Sequence, residues 1–128
     1  MIAALCVGAG GFCGAIARYL LGLLPYQGQF PLITFIINFT GAVVIGAVVE
    51  AASIRPGMLP ANAVLFLKTG LCGGFTTFST FSLETLALLE RGEYALGGAY
   101  AFGSLAACVL GVVAGKMLVR WLLGAQAA

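Results

Sequence analysis

The chain has 128 residues, of which 62% are hydrophobic and only 8% are charged, and its formal net charge is +2. A soluble domain carries roughly 25% charged residues, so this sequence has too few polar groups to cover a water-facing surface. The composition indicates an integral membrane protein, and the scattered basic residues form no block of the kind that binds nucleic acids.

Four apolar segments are long enough to cross a bilayer. A spanning helix needs about 20 predominantly apolar residues. The segments that meet this requirement run over residues 2–24, 31–52, 62–89 and 94–123. All the connecting loops are short, which predicts antiparallel packing of neighbouring helices. We therefore expect an all-α membrane protein with four transmembrane helices in a single domain, residues 1–128.

The distribution of basic residues specifies the orientation only weakly. The side of the membrane that bears the termini is credited with Arg55, Lys68, Lys116 and Arg120, and the other side with Arg18 and Arg91. This bias favours cytoplasmic termini, but several of these residues lie well inside their segments and count for less. A weak bias is compatible with insertion in both orientations and hence with an antiparallel homodimer.

Small and polar residues form stripes on the predicted helices. The first helix carries Gly10 and Gly14, and the fourth carries small residues at every fourth position: Ala99, Gly103, Ala107, Gly111 and Gly115. Such stripes predict close helix packing. One position further along the fourth helix lies a face that can donate hydrogen bonds, formed by Tyr100, Ser104 and Cys108.

The amide of Asn38 lies inside the second segment and must find hydrogen-bonding partners there. Two interpretations remain open, an interhelical hydrogen bond and a position in a polar pathway. The four cysteines also lie in apolar segments. They are interpreted as small buried apolar residues, with a soft-metal site as the alternative.

The third segment contains a stretch, residues 70–84, that is unusual for a membrane helix. Three glycines are followed by five hydroxyl residues, three phenylalanines and the carboxylate of Glu84. Irregular backbone at membrane depth persists only where it is buried in protein or lines a cavity. We interpret the stretch as a functional helix break, with a packing kink as the alternative.

A break would place opposite partial charges next to each other. Carbonyls freed near Gly73 suit a cation, and N–H groups and hydroxyls from Thr77 onward suit an anion. Two interpretations are open for Phe78 and Phe81: they are core aromatic residues, or they offer the positive edges of their rings to an anion. Glu84 has three open roles: to pair with Arg18, to line a vestibule, or to carry a proton.

At these residues the chain resembles the Fluc (CrcB) fluoride channel family. The motifs are Gly10-Gly11-x-x-Gly14-x-x-x-Arg18-Tyr19, Phe35-x-x-Asn38-x-x-Gly41, Tyr100-x-x-x-Ser104 and, most specifically, the string from Gly73 through Thr80 to Glu84. The resemblance implies an antiparallel dual-topology dimer in the plasma (inner) membrane, with two pores and a central structural Na+. It also implies passive export of cytoplasmic fluoride.

The resemblance further implies a role for each matching residue. Phe78 and Phe81 would contact fluoride through their ring edges, with Asn38, Thr77, Tyr100 and Ser104 along the same pathway. The backbone carbonyls of Gly73 and Thr76 would hold Na+. Arg18 would lie in a vestibule, and Glu84 near the pore. Cys108 departs from the expected hydroxyl on this track, and a thiol is a weaker donor.

Two other classes of membrane protein fit the sequence less well. A small dual-topology proton-coupled multidrug antiporter needs a membrane-embedded carboxylate, usually in its first helix, where this chain has only Arg18. A non-transporting assembly subunit would not need the hydroxyl cluster. The sequence contains no histidine and no nucleophile–base arrangement, so we do not expect an enzyme.

Overall fold

The computed structural model describes residues 1–124, and within that range every regular element is helical. The elements in chain order are α1 (Ile2–Gly22), α2 (Leu32–Ile54), α3 (Ala61–Val64), a π-helix (Leu65–Cys72), α4 (Gly73–Phe75), α5 (Phe78–Glu90) and α6 (Tyr94–Gly124). Elements α3 to α5 together form the third predicted segment. The all-helical class and the count of four helical segments are therefore confirmed.

Three helices, α1, α2 and α6, are each long and apolar enough to cross a membrane without interruption. Many of their large apolar side chains are exposed, including Phe12 on α1 and Phe102 and Trp121 on α6. An apolar surface of this extent requires lipid as its solvent. The third segment is divided into shorter elements, so no single helix in it has this length.

Glycine allows α1 to approach the first half of the third segment backbone to backbone. A Cβ built on Gly10 would collide with the carbonyl of Phe66, and one on Gly14 with the carbonyl of Leu71. From the other side, a Cβ on Gly74 would meet the carbonyl of Gly11. The predicted packing role of the first glycine motif is confirmed, and it holds the third segment against α1.

Helices α2 and α6 pack in the same way, but only along part of the small-residue stripe. Gly111 and Gly115 are buried against Phe39 and the carbonyl of Val43, respectively, whereas Gly103 has nothing within 4 Å of a built Cβ. The part of the stripe around Gly103 therefore remains a smooth exposed strip on the single chain.

A tight turn connects α5 to α6. Gly92 adopts a φ of 78°, which favours glycine. Leu88, which is fully buried, then packs against Gly97 of α6. This hairpin brings the ring of Tyr100 to 5.2 Å from that of Phe81, centroid to centroid.

Candidate functional site

The helix of the third segment stops at Phe75 and starts again at Phe78. The two residues between them are extended, with φ/ψ of −78°/161° at Thr76 and −150°/112° at Thr77. Thr77 caps the second helix, because its Oγ1 accepts a hydrogen bond from the Thr80 N–H at 3.2 Å. Thr76 closes the first, because its Oγ1 donates to the carbonyl of Cys72 at 2.8 Å.

The interruption is held in place by Asn38. Its Oδ1 accepts from the Thr77 N–H at 2.8 Å, and its Nδ2 donates to the Thr77 carbonyl at 3.1 Å. One side-chain amide therefore satisfies both backbone groups of a buried residue that the helix leaves without partners. Asn38 is an interhelical hydrogen-bonding residue and also lines the cavity described next, so its two interpretations do not exclude each other.

A cavity of about 420 Å³ opens beside the interruption. It brings together seven of the predicted site residues: Asn38, Gly73, Thr76, Thr77, Phe78, Phe81 and Ser104. Cys72, Cys108 and Lys68 also line it. Residues from α2, the third segment and α6 that are far apart in the chain therefore share one space. Lys68 was not among the residues predicted for a site, because in the sequence it counted only toward the membrane orientation.

The two phenylalanines at the cavity lie side by side, with ring centroids 5.5 Å apart and planes inclined by 42°. Phe81 is half-buried, whereas 79% of Phe78 is exposed on the single chain. Tyr100 differs from the prediction. It is fully buried, packs against Phe81 and is not among the residues that line the cavity.

The hydroxyl of Ser104 lacks a protein partner. The residue is 5% exposed and lines the cavity, and among residues 1–124 its Oγ is the one buried side-chain polar atom without a hydrogen bond. A buried hydroxyl without a partner is costly, so a hydrogen-bonding partner inside the cavity would stabilise this atom.

Glu84 and Arg18 lie outside this cavity. The two carboxylate oxygens of Glu84 accept separate hydrogen bonds, from Thr34 at 2.8 Å and from the Tyr100 hydroxyl at 2.7 Å. Glu84 also lines a second cavity of about 320 Å³, together with Arg91. Arg18 instead donates to the Thr76 carbonyl at 3.4 Å. Glu84 therefore does not pair with Arg18, and the vestibule role and the proton-carrying role stay predictions.

The contact of Thr34 with Glu84 was only partly indicated by the sequence. Thr34 shares a face of α2 with Asn38, which marks that face as polar. Its carboxylate partner, fifty residues further along the chain, is not visible in the sequence.

The π-helix Leu65–Cys72 was not expected from the sequence. The residues at its ends, Val64 and Gly73, are also helical, so it is a widened stretch within a continuous helix. Such widened turns concentrate at functional sites. This one ends at the cavity and carries Lys68 and Cys72 into its wall.

The predicted cation ligands fit a cation chemically. The N–H of Thr77, which would bond the carbonyl of Gly73 in a continuous helix, bonds Asn38 instead. Gly73 lies exposed near the end of the first half-helix, with nothing within 4 Å of a built Cβ. Carbonyls freed at such an end are suited to Na+. The carbonyl of Thr76 accepts a hydrogen bond from Arg18.

Comparison with known proteins gives a consistent result. The model of the family described as CrcB-like protein, Camphor Resistance (CrcB), matches residues 5–116. The chain is 46% identical to the fluoride-specific ion channel FluC of Nitrobacter winogradskyi, over 91% of this chain and 94% of that one. It is 44% identical to FluC of Ruminiclostridium cellulolyticum and 40% identical to FluC of Chlorobium chlorochromatii, over 94% of each chain in both cases. The chain belongs to the CrcB family.

Proposed function

We propose that this chain is a fluoride-selective ion channel that exports cytoplasmic fluoride passively across the plasma membrane. Relatives that are 40–46% identical over nearly their whole length are named fluoride-specific ion channels. The structural observation that carries the proposal is the cavity at the interruption, where the unpartnered hydroxyl of Ser104 shares a space with Phe78 and Phe81.

The lining of this cavity suits a small, strongly hydrated anion. A pore for such an ion must replace its water with close donors without binding it too tightly. Ser104 offers a hydroxyl, and Asn38 keeps a second N–H because its amide uses one for Thr77. Phe78 and Phe81 add ring edges, which carry positive partial charge. Tyr100 acts indirectly in this scheme, by packing behind Phe81 while it anchors Glu84.

The functional unit is an antiparallel homodimer with two pores. Three features of the single chain support a second copy. Phe78 is 79% exposed, Gly103 lies on an exposed smooth strip, and Gly73 is exposed beside the interruption. A facing chain would enclose all three. The weak charge bias agrees with insertion in both orientations. The four helical segments act together as one transmembrane domain.

A structural Na+ would lie where the two chains meet. Gly73 and Thr76 of each chain would contribute backbone carbonyls, because one chain alone supplies too few oxygens for a cation. The bound ion would compensate the carbonyl charge of two helix ends. Arg18 donates to the same Thr76 carbonyl and so helps to fix its position.

The proton-coupled antiporter is not favoured. Its first helix needs a carboxylate, and α1 contains none. Glu84, the one carboxylate of α5 that lies away from the helix ends, has both oxygens engaged by hydroxyl donors. The relatives of this chain are named as ion channels, which are not enzymes.

The proposal is tested with the purified protein in liposomes loaded with potassium fluoride, with Na+ present on both sides of the membrane. Efflux is started with a potassium ionophore and followed with a fluoride electrode, and chloride-loaded liposomes serve as the control. We expect rapid fluoride release and chloride release at the level of protein-free liposomes. Absence of fluoride release, or equal release of both ions, would reject the proposal.

A further inference from the structure

Lys68 is the one charged residue among those that line the cavity at the interruption. It lies in the π-helix Leu65–Cys72, one turn before Cys72, and its side chain is exposed. An ionisable residue inside a membrane segment is a functional candidate by default, provided that nothing else explains it.

Within residues 1–124, no carboxylate forms a salt bridge with Lys68. The acidic residue of the neighbouring helix end, Glu50, is only 8% exposed and is already bound by Arg120 at 2.6 Å and by Lys116 at 3.3 Å. Glu84 is engaged by hydroxyls. The remaining two carboxylates, Glu90 and Glu93, lie at the turn between α5 and α6.

The Glu50 cluster also defines the charge at this end of the cavity. Ile45 of α2 and Val112 of α6 line the cavity, and Glu50 and Lys116 follow them by little more than one helical turn. Because two basic residues surround a single carboxylate there, the cluster keeps a surplus positive charge. The cluster adds to the positive electrostatic potential of Lys68 and supplies no free carboxylate to neutralise it.

From this arrangement we propose that Lys68 is an anion-recruiting residue, whose ammonium raises the local fluoride concentration at this end of the pathway and so raises the rate of permeation. The inference rests on the proposed function. A cation on a flexible, exposed stem attracts an ion without providing the fixed cage that would trap it. Fields of this kind accelerate entry of charged ligands and weaken as salt is added.

The test compares Lys68→Met, which keeps most of the stem length, with Lys68→Arg and with the matched control Arg55→Gln. Arg55 is also basic and lies at the same end of α2 as Glu50, but it does not line the cavity. Fluoride efflux is measured at low ionic strength and again with an impermeant salt added on both sides. The ratio of the two rates is used, because it does not depend on how much protein is correctly folded.

For Lys68→Met we expect fluoride efflux about two- to ten-fold below wild type at low ionic strength, with most of the difference lost at high ionic strength. Lys68→Arg and Arg55→Gln should keep the wild-type rate and the wild-type ratio. An unchanged rate in Lys68→Met, a loss that salt does not alter, or an equal loss in Arg55→Gln would overturn the inference. If the wild type itself releases no fluoride, the proposed function fails first.

Discussion

Replacing Asn38 with alanine tests whether its side chain holds the helix interruption. The change removes the acceptor for the Thr77 N–H and the donor for the Thr77 carbonyl, which lie at 2.8 Å and 3.1 Å. Because Thr77 is only 7% exposed and lines the cavity, water in the cavity is the one replacement partner for these two atoms. We therefore expect Asn38→Ala to lower the free energy of unfolding even when no fluoride is present.

The magnitude follows from the two orphaned groups. Leaving one buried donor or acceptor without a partner costs about 1–3 kcal/mol, so two give about 2–6 kcal/mol. Water entering from the neighbouring cavity would replace part of this, which favours about 2–4 kcal/mol. Thr40→Ala is the matched control, because Thr40 is exposed on the same helix.

Reversible unfolding in mixed micelles, by titration with a denaturing detergent, measures the free energy of unfolding of each variant without fluoride. Asn38→Ala should lose stability by the amount above, whereas Thr40→Ala should lie within about 0.5 kcal/mol of wild type, as is usual for surface substitutions. A wild-type free energy of unfolding for Asn38→Ala would refute the reasoning that this amide holds the interruption. A loss of fluoride efflux without a loss of stability would assign Asn38 to the ion alone.

Two further predictions concern the ions. Phe78→Ile and Phe81→Ile should each lower fluoride efflux at least about ten-fold, since isoleucine is also apolar and bulky but has no positive ring edge. Size-exclusion chromatography should show the same oligomeric state as for wild type, and efflux at the wild-type rate would contradict a role for the rings. Replacing Na+ by a large organic cation should slow fluoride efflux if the carbonyls of Gly73 and Thr76 hold Na+, and full activity after verified depletion would argue against that site.

The position of the interruption was predictable because its cause is local. Gly73 and Gly74 weaken the helix, and the Thr77 hydroxyl caps the helix that follows. The Thr76 hydroxyl adds a second hydrogen bond to the Cys72 carbonyl, which also accepts from the Thr76 N–H. That the end of the first half-helix suits a cation and the start of the second suits an anion stays a prediction, made from the helix ends alone. The π-helix before the interruption was not predictable, since no residue pattern distinguishes it from an α-helix carrying the same side chains.

Contacts between residues that are distant in the chain also could not be predicted from the sequence. The roles of Glu84 stayed open because its hydroxyl partners, Thr34 and Tyr100, lie far away in the chain, and only the helix arrangement brings them to the carboxylate. Similarly, the small-residue stripe of α6 predicts close packing along its whole length. The structure buries Gly111 and Gly115 against α2 but leaves Gly103 exposed, because α2 covers only part of that face.

The central claim is that fluoride moves passively and selectively through this protein, and the reversal potential of reconstituted channels in a planar bilayer tests it most directly. With a tenfold fluoride gradient and symmetrical chloride, the current should reverse near the fluoride equilibrium potential, about 59 mV for a monovalent ion. A tenfold chloride gradient under symmetrical fluoride, or a pH gradient, should leave the reversal near zero. A reversal that follows chloride or protons would contradict the account.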